Sequence, residues 1–166
     1  NGKAMSAGEF VSVQDIKTAI KRSGLKSRGI LAGDIVLINT GWSDNYQDPD
    51  ETKIYYSSAP GLSYAAAKYL AEQKVVGVGL DTPFVDAVPS PKASSVERDT
   101  SAPESLGFPV HHYFLTQVGV HTLENLRLEE LVKDSVELSC AMVLPLLSRG
   151  SAASPIRPVA IGLPGS

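Results

Sequence analysis

The sequence has a single cysteine, Cys140, so no disulfide can form within the chain. Its fold therefore does not depend on an oxidising compartment, and a cytoplasmic location is expected. Cys140 lies in the apolar run VELSCAMVLPLL. A free cysteine in such a run is typical of a small buried hydrophobic side chain rather than of a nucleophile.

Long apolar runs and clusters of basic residues are also missing. No stretch reaches the roughly 18 apolar residues that a membrane-spanning helix needs. The net charge of −3 is spread along the chain without blocks. This charge pattern argues against nucleic acid and anionic membrane surfaces as partners, and the sequence shows no internal repeat.

The composition is that of a globular protein with one hydrophobic core. The chain has 166 residues, of which 43% are hydrophobic and 20% are charged. This length suits one domain and is too short for two of ordinary size. Residues 1–10 are small and polar and are predicted to be a tail or the remnant of a linker, so the domain is predicted to comprise residues 11–166.

Apolar runs alternate with amphipathic segments, which predicts an α/β fold with a mixed, partly parallel sheet and flanking helices. The continuous apolar runs 35–38 and 75–80 are predicted to be strands covered on both faces. Ser63 is a natural N-cap for a helix over residues 64–73 between them.

Local signals also define the beginning and the end of the domain. Ser12 and Asp15 form an S-x-x-D capping box for a helix that is predicted to end at an αL glycine, Gly24. Near the other end, residues 136–147 are predicted to form a strand with an edge or bulge, because Pro145 lies in the run, and residues 159–161 are predicted to form the last strand.

The residues that follow buried strands are candidates for ligand contacts in an α/β fold. Trp42, the only tryptophan, follows the first strand, where it either lines a pocket or caps the core. Asp81 ends the second strand and is predicted to bond nearby backbone amides rather than a ligand, and Asp86 is a weaker candidate for a ligand contact. The polar, tyrosine-rich segment 45–59 is predicted to be an exposed loop or lid, and residues 87–107 a long surface excursion.

The stretch FPVHHYFLTQVGVHTLENL, residues 108–126, contains all three histidines of the chain. Its pattern predicts a short helix with His112, a turn at Gly119 and a strand over residues 120–123 that ends at Glu124. An imidazole nitrogen and a carboxylate oxygen together suit zinc or manganese. A solvated surface pair is the competing interpretation, because a hydrolytic metal centre needs about three protein ligands.

The other two histidines are not predicted to be metal ligands. His111 would project from the helix in a different direction from its neighbour, so it is predicted to lie at the surface or to support a ligand from behind. His121 lies on the strand that leads to Glu124, where alternation turns it away from the face of the carboxylate.

Together with GDIVLINTGWSD, PGLSYAAAKYLAEQKVVGVGLDTP and GSAASPIRPVAI, the histidine stretch resembles the cyclase family of metal-dependent hydrolases, which includes bacterial kynurenine formamidase and isatin hydrolase. The resemblance implies a kynurenine formamidase-like swivelling β/β/α fold and hydrolysis of a small amide, imide or lactone. It further implies a divalent metal, zinc or manganese, with His112 and Glu124 as ligands. Trp42 would stack on an aromatic substrate, and the protein would be a homo-oligomer.

One family motif, His-x-Gly-Thr-His-x-Asp-x-Pro-x-His, does not occur in the sequence. In the family it supplies most of the metal ligands and the catalytic histidine, so no catalytic residue is assigned in this chain. The chain is expected to correspond to the carboxyl-terminal two-thirds of such an enzyme. Two interpretations stay open: a hydrolase site completed from elsewhere, for example by a cleaved amino-terminal fragment, or a non-catalytic remnant that acts as a scaffold or oligomerisation domain.

Overall fold

The computed structural model describes residues 3–49, 51–88 and 99–165. The chain divides into two compact units, Asn1–Glu129 and Glu130–Ser166. The central part of the predicted surface excursion, residues 89–98, lies outside the described residues.

The first unit contains five strands and four helices among its described residues. The strands are β1 (Phe10–Val11), β2 (Ile35–Ile38), β3 (Gly61–Leu62), β4 (Gly77–Leu80) and β5 (His121–Leu123). The helices are α1 (Val13–Arg22), α2 (Ile54–Ser57), α3 (Tyr64–Glu72) and α4 (Pro109–His112), the last of which continues as a π-helix over Tyr113–Val118. Two 3₁₀ turns cover Gly24–Ser27 and Trp42–Asn45.

A parallel sheet with the order β2-β4-β5 forms the centre of this unit. Ile35 pairs with Gly77 and Gly77 with His121, so the three strands begin in register. β1 and β3 form a second parallel pair. Parallel neighbours need crossover connections, and helices supply them. The predicted α/β class with a partly parallel sheet and flanking helices is confirmed.

The hydrophobic core lies between the sheet and its helices. All four residues of β4 are buried, as expected for a central parallel strand covered on both faces. Gly79 allows this close packing, because a Cβ there would lie 2.5 Å from Cδ1 of Leu126 and 2.8 Å from Cδ2 of Leu37. The largest fully buried apolar side chains are Phe114, Leu62, Leu70, Leu80, Val78, Val85 and Val110.

The predicted helix starts are confirmed, and one predicted end is wrong. Both reciprocal bonds of the Ser12–Asp15 capping box are present at α1, and Oγ of Ser63 accepts the N–H of Ala66 at α3. However, α1 ends at Arg22, two residues before Gly24, and Gly24 begins the 3₁₀ turn that follows. Ser23 leaves the helix with extended backbone angles, φ −87° and ψ 168°, so a left-handed glycine is not needed.

The residues predicted to be a tail lie against the rest of the first unit. The N–H of Met5 donates to the carbonyl of Thr40 at 2.9 Å, and the N–H of Gly8 donates to that of Ser58 at 2.8 Å. These bonds lead the chain into β1 and fix it beside the loops that follow β2 and α2.

The second unit is built on an antiparallel ribbon of β6 (Ser139–Met142) and β7 (Val159–Gly162), and α5 (Glu129–Lys133) leads into it. The predicted strand over residues 136–147 is therefore shorter than expected, although Pro145 does make an isolated bridge with Ile156. None of the described residues of this unit is buried.

Cys140 is exposed, and its prediction as a buried hydrophobic side chain is wrong. It lies in β6, whose only strand partner among the described residues is β7, and no helix of the unit covers the ribbon. The unit also exposes a set of large apolar side chains, which we call the ribbon patch: Leu138, Met142, Leu144, Leu146, Leu147, Val159, Ile161 and Leu163.

In the part of the chain that the structure describes, every helix is too short or too polar to cross a membrane.

Candidate functional site

Polar side chains meet at the carboxyl edge of the parallel sheet. Thr40 follows β2, Asp81 and Thr82 follow β4, and Glu124 follows β5. Because the three strands are parallel, these residues share one edge, which is the usual place for a ligand site in an open α/β sheet.

Asp81 holds the loop after β2, as predicted. Its side chain is fully buried, and Oδ1 accepts the N–H of Thr40 at 2.8 Å and the hydroxyl of Thr40 at 2.7 Å. Oδ2 accepts the N–H of Ser43 at 3.4 Å. A buried carboxylate is costly without such partners, so these bonds connect β2 and β4 at the edge of the sheet.

Trp42 lies in a small buried cluster with Tyr55 and Ala59. Its indole N–H donates to the carbonyl of Tyr55 at 3.0 Å, and 4% of the residue is exposed. Its placement beside the sheet edge is thus established, whereas stacking on a substrate stays a prediction.

Tyr55 is buried, which corrects the prediction that segment 45–59 is an exposed loop or lid throughout. Its hydroxyl lies 3.1 Å from the carbonyl oxygen of Asp81 and 3.0 Å from Oδ1 of Asn125. Burial raises the pKa of Tyr55 above its ordinary value, so the phenol keeps its proton and donates it. This contact ties the segment to the loops after β4 and β5.

Glu124 is fixed by the residues on its carboxyl side. Asn125 has a positive φ of 55°, and its N–H donates to the carbonyl of Thr82 at 2.8 Å. The N–H of Leu126 donates to that of Leu80 at 3.0 Å. The chain therefore turns back onto the end of β4 directly after Glu124, which lies at the centre of the site.

Asp86, His111 and Glu124 form a hydrogen-bonded group that we call the acid–histidine–acid relay. Nδ1 of His111 lies 2.5 Å from Oδ2 of Asp86, and Nε2 lies 2.7 Å from Oε1 of Glu124. The side chain of Asp86 is almost completely buried, while those of His111 and Glu124 are about one quarter exposed (23% and 25%). The relay thus runs from the interior to the surface of the site.

The relay sets the charge of His111. Burial alone would lower the pKa of His111, but the hydrogen bonds and charges of Asp86 and Glu124 outweigh it and raise the pKa to about 9. The imidazole is therefore protonated at neutral pH and donates from both nitrogens.

The structure places His111, and not His112, beside Glu124. His112 is exposed on the same helix, and its pairing with Glu124 at a metal stays a prediction. His121 is exposed at the start of β5, whereas Glu124 follows the end of that strand.

Sequence reasoning gave Asp86 too little weight. The signal was its context, since a charged residue between Val85 and Ala87 is expected to be buried and paired. Its partner could not be found from the sequence, because His111 is 25 residues away.

One carboxylate oxygen and one imidazole could serve as metal ligands at this site, which is fewer ligands than a complete metal centre has. Among the described residues, no group of three or more His, Cys, Asp or Glu side chains is placed to hold a metal ion. Both nitrogens of His111 and Oε1 of Glu124 are engaged in the relay. Oε2 of Glu124 and the exposed imidazole of His112 are thus the donors on offer, fewer than the three of a hydrolytic centre.

Two aromatic rings adjoin the relay. The ring centroids of Phe84 and Phe108 lie 5.5 Å apart, and those of Phe108 and His111 lie 5.9 Å apart in an edge-on arrangement. Phe108 is about half exposed (49%), so an apolar surface lies next to the partly exposed end of the relay.

Comparison with known proteins finds similar structures that match nearly the full length of this chain. The family model described as "Putative cyclase" matches residues 2–87. A comparison with curated proteins gave no match. The structure of a novel cyclase is 24% identical, with a TM-score of 0.76, and the likeness covers 96% of this chain and 49% of that one.

Two further structures are similar. Isatin hydrolase A from Ralstonia solanacearum is 24% identical with a TM-score of 0.66, over 93% of this chain and 54% of that one. A predicted metal-dependent hydrolase from Bacillus stearothermophilus is 26% identical with a TM-score of 0.53, over 92% and 61%. The chain thus spans between about half and three fifths of the length of these relatives.

Proposed function

Since the family model matches just over half of its residues, the chain belongs to the cyclase family, and from this premise we propose that it contributes part of the site of a metal-dependent hydrolase. The proposed reaction is the hydrolytic opening of a small amide, imide or lactone. The observation that carries the proposal is the relay, because it fixes a carboxylate at the carboxyl edge of the parallel sheet with one oxygen still available.

The residues that would hold the metal are Glu124, through Oε2, and His112. A zinc or manganese ion bound there would lower the pKa of a water molecule and polarise the substrate carbonyl. Asp86 and His111 hold Glu124 in place, and Asp81 holds the loop that contains Trp42. No residue of this chain is proposed as the general base.

Two observations support the choice of substrate class. The Ralstonia solanacearum protein is an isatin hydrolase, and isatin contains a cyclic amide. The apolar surface of Phe84 and Phe108 next to the relay suits a small planar ring. Trp42 is proposed to contact the same substrate once the surrounding site is complete.

The proposal is tested by assaying the purified protein with isatin, an aryl formamide and a small lactone in the presence of Mn²⁺ or Zn²⁺. A denaturing intact-mass spectrum of the sample comes first, since it shows whether a second polypeptide accompanies the 17.6 kDa chain. We expect metal-dependent turnover that Glu124→Ala abolishes and that His121→Ala leaves unchanged. Absence of both metal binding and turnover would overturn the hydrolase proposal.

A second candidate function is a non-catalytic scaffold or oligomerisation domain. It is favoured by the donor set, because the described residues offer fewer ligands than a hydrolytic centre requires. The same assay separates the two: a scaffold would bind neither ion and would hydrolyse none of the substrates, yet it would keep its cooperative unfolding.

We also propose that the protein is a homo-oligomer. The ribbon patch supports this, because Leu144, Leu147 and Leu163 are each at least 75% exposed and large apolar patches commonly mark interfaces. Light scattering after size-exclusion chromatography measures the mass in solution. The double variant Leu144→Ser, Leu147→Ser is expected to shift the protein towards the monomer, and a monomeric wild type would refute the proposal.

A further inference from the structure

We propose that one face of the central parallel sheet is a docking surface for the polypeptide that corresponds to the part of the similar structures which this chain does not match. We call it the glycine face, and it consists of five residues from β2, β4 and β5: Ile35, Leu37, Gly77, Gly79 and Leu123. The inference goes beyond the proposed function, because it concerns a surface and not the reaction. The glycine face shares no residue with the ribbon patch.

The register of the strands places these residues on one face of the sheet. Gly79 pairs with Leu37 on one side and with Leu123 on the other. Two residues before it, Gly77 pairs with Ile35. Residues that pair across a sheet point to the same side, and so do residues two positions apart along a strand. The two glycines therefore lie in the middle of an apolar face, between the side chains of β2 and that of β5.

The opposite face of the sheet contacts the helices. Val78 and Leu80 of β4 belong to the main hydrophobic cluster together with side chains of α1, α3 and α4, and Val36 and Ile38 of β2 pack against it. Among the residues that the structure describes, this cluster includes none of the glycine face. The helices thus cover one side of the sheet, and the glycine face is on the other side.

The glycine face is only partly covered by its own unit. A Cβ at Gly79 would lie 2.5 Å from Cδ1 of Leu126, so this leucine lies over the central strand, and Leu123 is 4% exposed. Ile35 and Leu37, in contrast, are only half-buried. The part of the face along β2 therefore remains open.

The sequence of β2 indicates that both of its sides are covered in the assembled protein. The strand reads IVLI and contains no polar residue. Such continuous apolar runs are typical of parallel strands that are buried on both faces, whereas a strand with one solvated side alternates apolar and polar residues. The glycines of β4 add to this, since glycine in a strand often marks the close approach of another backbone. The open part of the face thus suits an apolar layer packed directly on it.

The length of the similar structures identifies the occupant. The likeness covers 49% of the novel cyclase and 54% of the Ralstonia solanacearum isatin hydrolase, so roughly half of each protein lies outside the match. Parallel sheets of α/β proteins have a layer on each face. A polypeptide of that size can supply the second layer, whereas a second copy of this chain would leave the unmatched half unaccounted for.

Photo-crosslinking in the cells from which the protein comes identifies what covers the face. The crosslinker is introduced by Ile35→p-benzoylphenylalanine or by Asn39→p-benzoylphenylalanine, because Asn39 is exposed directly after β2 and tolerates a large side chain. Ala65→p-benzoylphenylalanine is the matched control, since Ala65 is exposed on α3, on the helix side of the sheet. We expect an adduct from both face positions and none from the control. Mass spectrometry of the adduct should show a sequence that matches the part of the similar structures outside the present match.

A charge on the face gives a second readout. Ile35 is half-buried, so the long side chain introduced by Ile35→Lys can keep its ammonium group in water while the face is open. A packed layer would bury this charge, which is costly without a partner. We expect Ile35→Lys to abolish the adduct formed from position 39, and the control Ala65→Lys to keep it. Urea denaturation of the variants shows that each one is folded.

The possible results separate cleanly. An adduct from folded protein with a second copy of the chain, or with a polypeptide unrelated to the unmatched part, overturns the proposal. So does the lack of any adduct from position 39, or an adduct that Ile35→Lys leaves unchanged. The metal and substrate assays decide the proposed function independently, because an adduct without turnover would keep the docking surface and remove the hydrolase, and turnover without an adduct would do the reverse.

Discussion

Each unit contains a four-residue strand of small and apolar residues, and the two strands differ in how far their residues are buried. Every residue of β4 (GVGL) is buried, whereas exposed and half-buried residues alternate in β6 (SCAM). The difference lies in the neighbouring strands. β4 has a parallel strand on each side and helices that connect them, while β6 pairs, among the described residues, with one antiparallel strand. Apolarity predicts where a strand forms, and the connection type determines whether it is covered.

The largest difference between the two units is expected when one large apolar side chain is truncated in each and the free energies of unfolding are compared. Phe114 is fully buried, so Phe114→Ala should lower the free energy of unfolding by about 3–5 kcal/mol. Leu147 is fully exposed, and Leu147→Ala should change it by no more than about 0.5 kcal/mol. Urea denaturation of both variants measures the two values. A large loss in Leu147→Ala would mean that the ribbon patch is buried in solution, as in the proposed oligomer.

A smaller effect is expected from the buried carboxylate that joins β2 and β4. Asp81→Ala leaves two donors of Thr40 without their acceptor, which should cost about 1–3 kcal/mol. Asp134→Ala in the second unit is the matched removal of an exposed acid. Thermal unfolding of the two variants tests the difference, and equal midpoints would show that Asp81 does not join the strands in solution.

Stability is also predicted to depend on pH through His111. Its pKa is raised to about 9 in the folded protein, against about 6.5 when unfolded. The folded state therefore binds the proton more tightly, so this stabilisation is complete below about pH 6.5 and is lost as the pH rises through about 9. Urea denaturation of the wild type at pH 6 and pH 9.5 should show the loss, and His111→Gln should reduce it. A variant with the same pH dependence as the wild type would contradict the prediction.

The smallest expected effect is that of the helix caps in the first unit. Ser12→Ala removes the capping box of α1 and should cost about 1 kcal/mol. Ser151→Ala removes an exposed serine of the second unit that caps no helix, and its midpoint of thermal unfolding should match that of the wild type more closely. If the two midpoints coincide, the cap contributes less than the geometry indicates.

The features that the sequence predicted well depend on nearby residues. The N-caps Ser12 and Ser63, the turn at Gly119 and the short helix before it follow from chemistry within a few positions. The strands β2 and β4 follow from continuous apolar runs, with an error of two residues at the start of β4. The order of the strands in the sheet, β2-β4-β5, does not follow from this pattern.

The features that were missed depend on contacts between distant segments. His111 and His112 are adjacent, and only the fold shows which of them meets Glu124. The burial of Tyr55 depends on Asp81 and Asn125, the second of which is 70 residues away. Cys140 is exposed because β6 belongs to a two-stranded ribbon in which none of the described residues is buried, and an apolar run in the sequence does not reveal this.

The hydrogen bonds at the edge of the sheet have a consequence for the order of folding. Asp81 reaches Thr40 across 41 residues, Glu124 reaches Val85 across 39, and Tyr55 reaches Asn125 across 70. Closing such long loops lowers the chain entropy before the new contacts can stabilise the structure. Contacts of this range are therefore expected to form late in folding. The carboxylate of Glu124 thus reaches its place only when β5 docks on β4, so the relay is complete only in the fully folded chain.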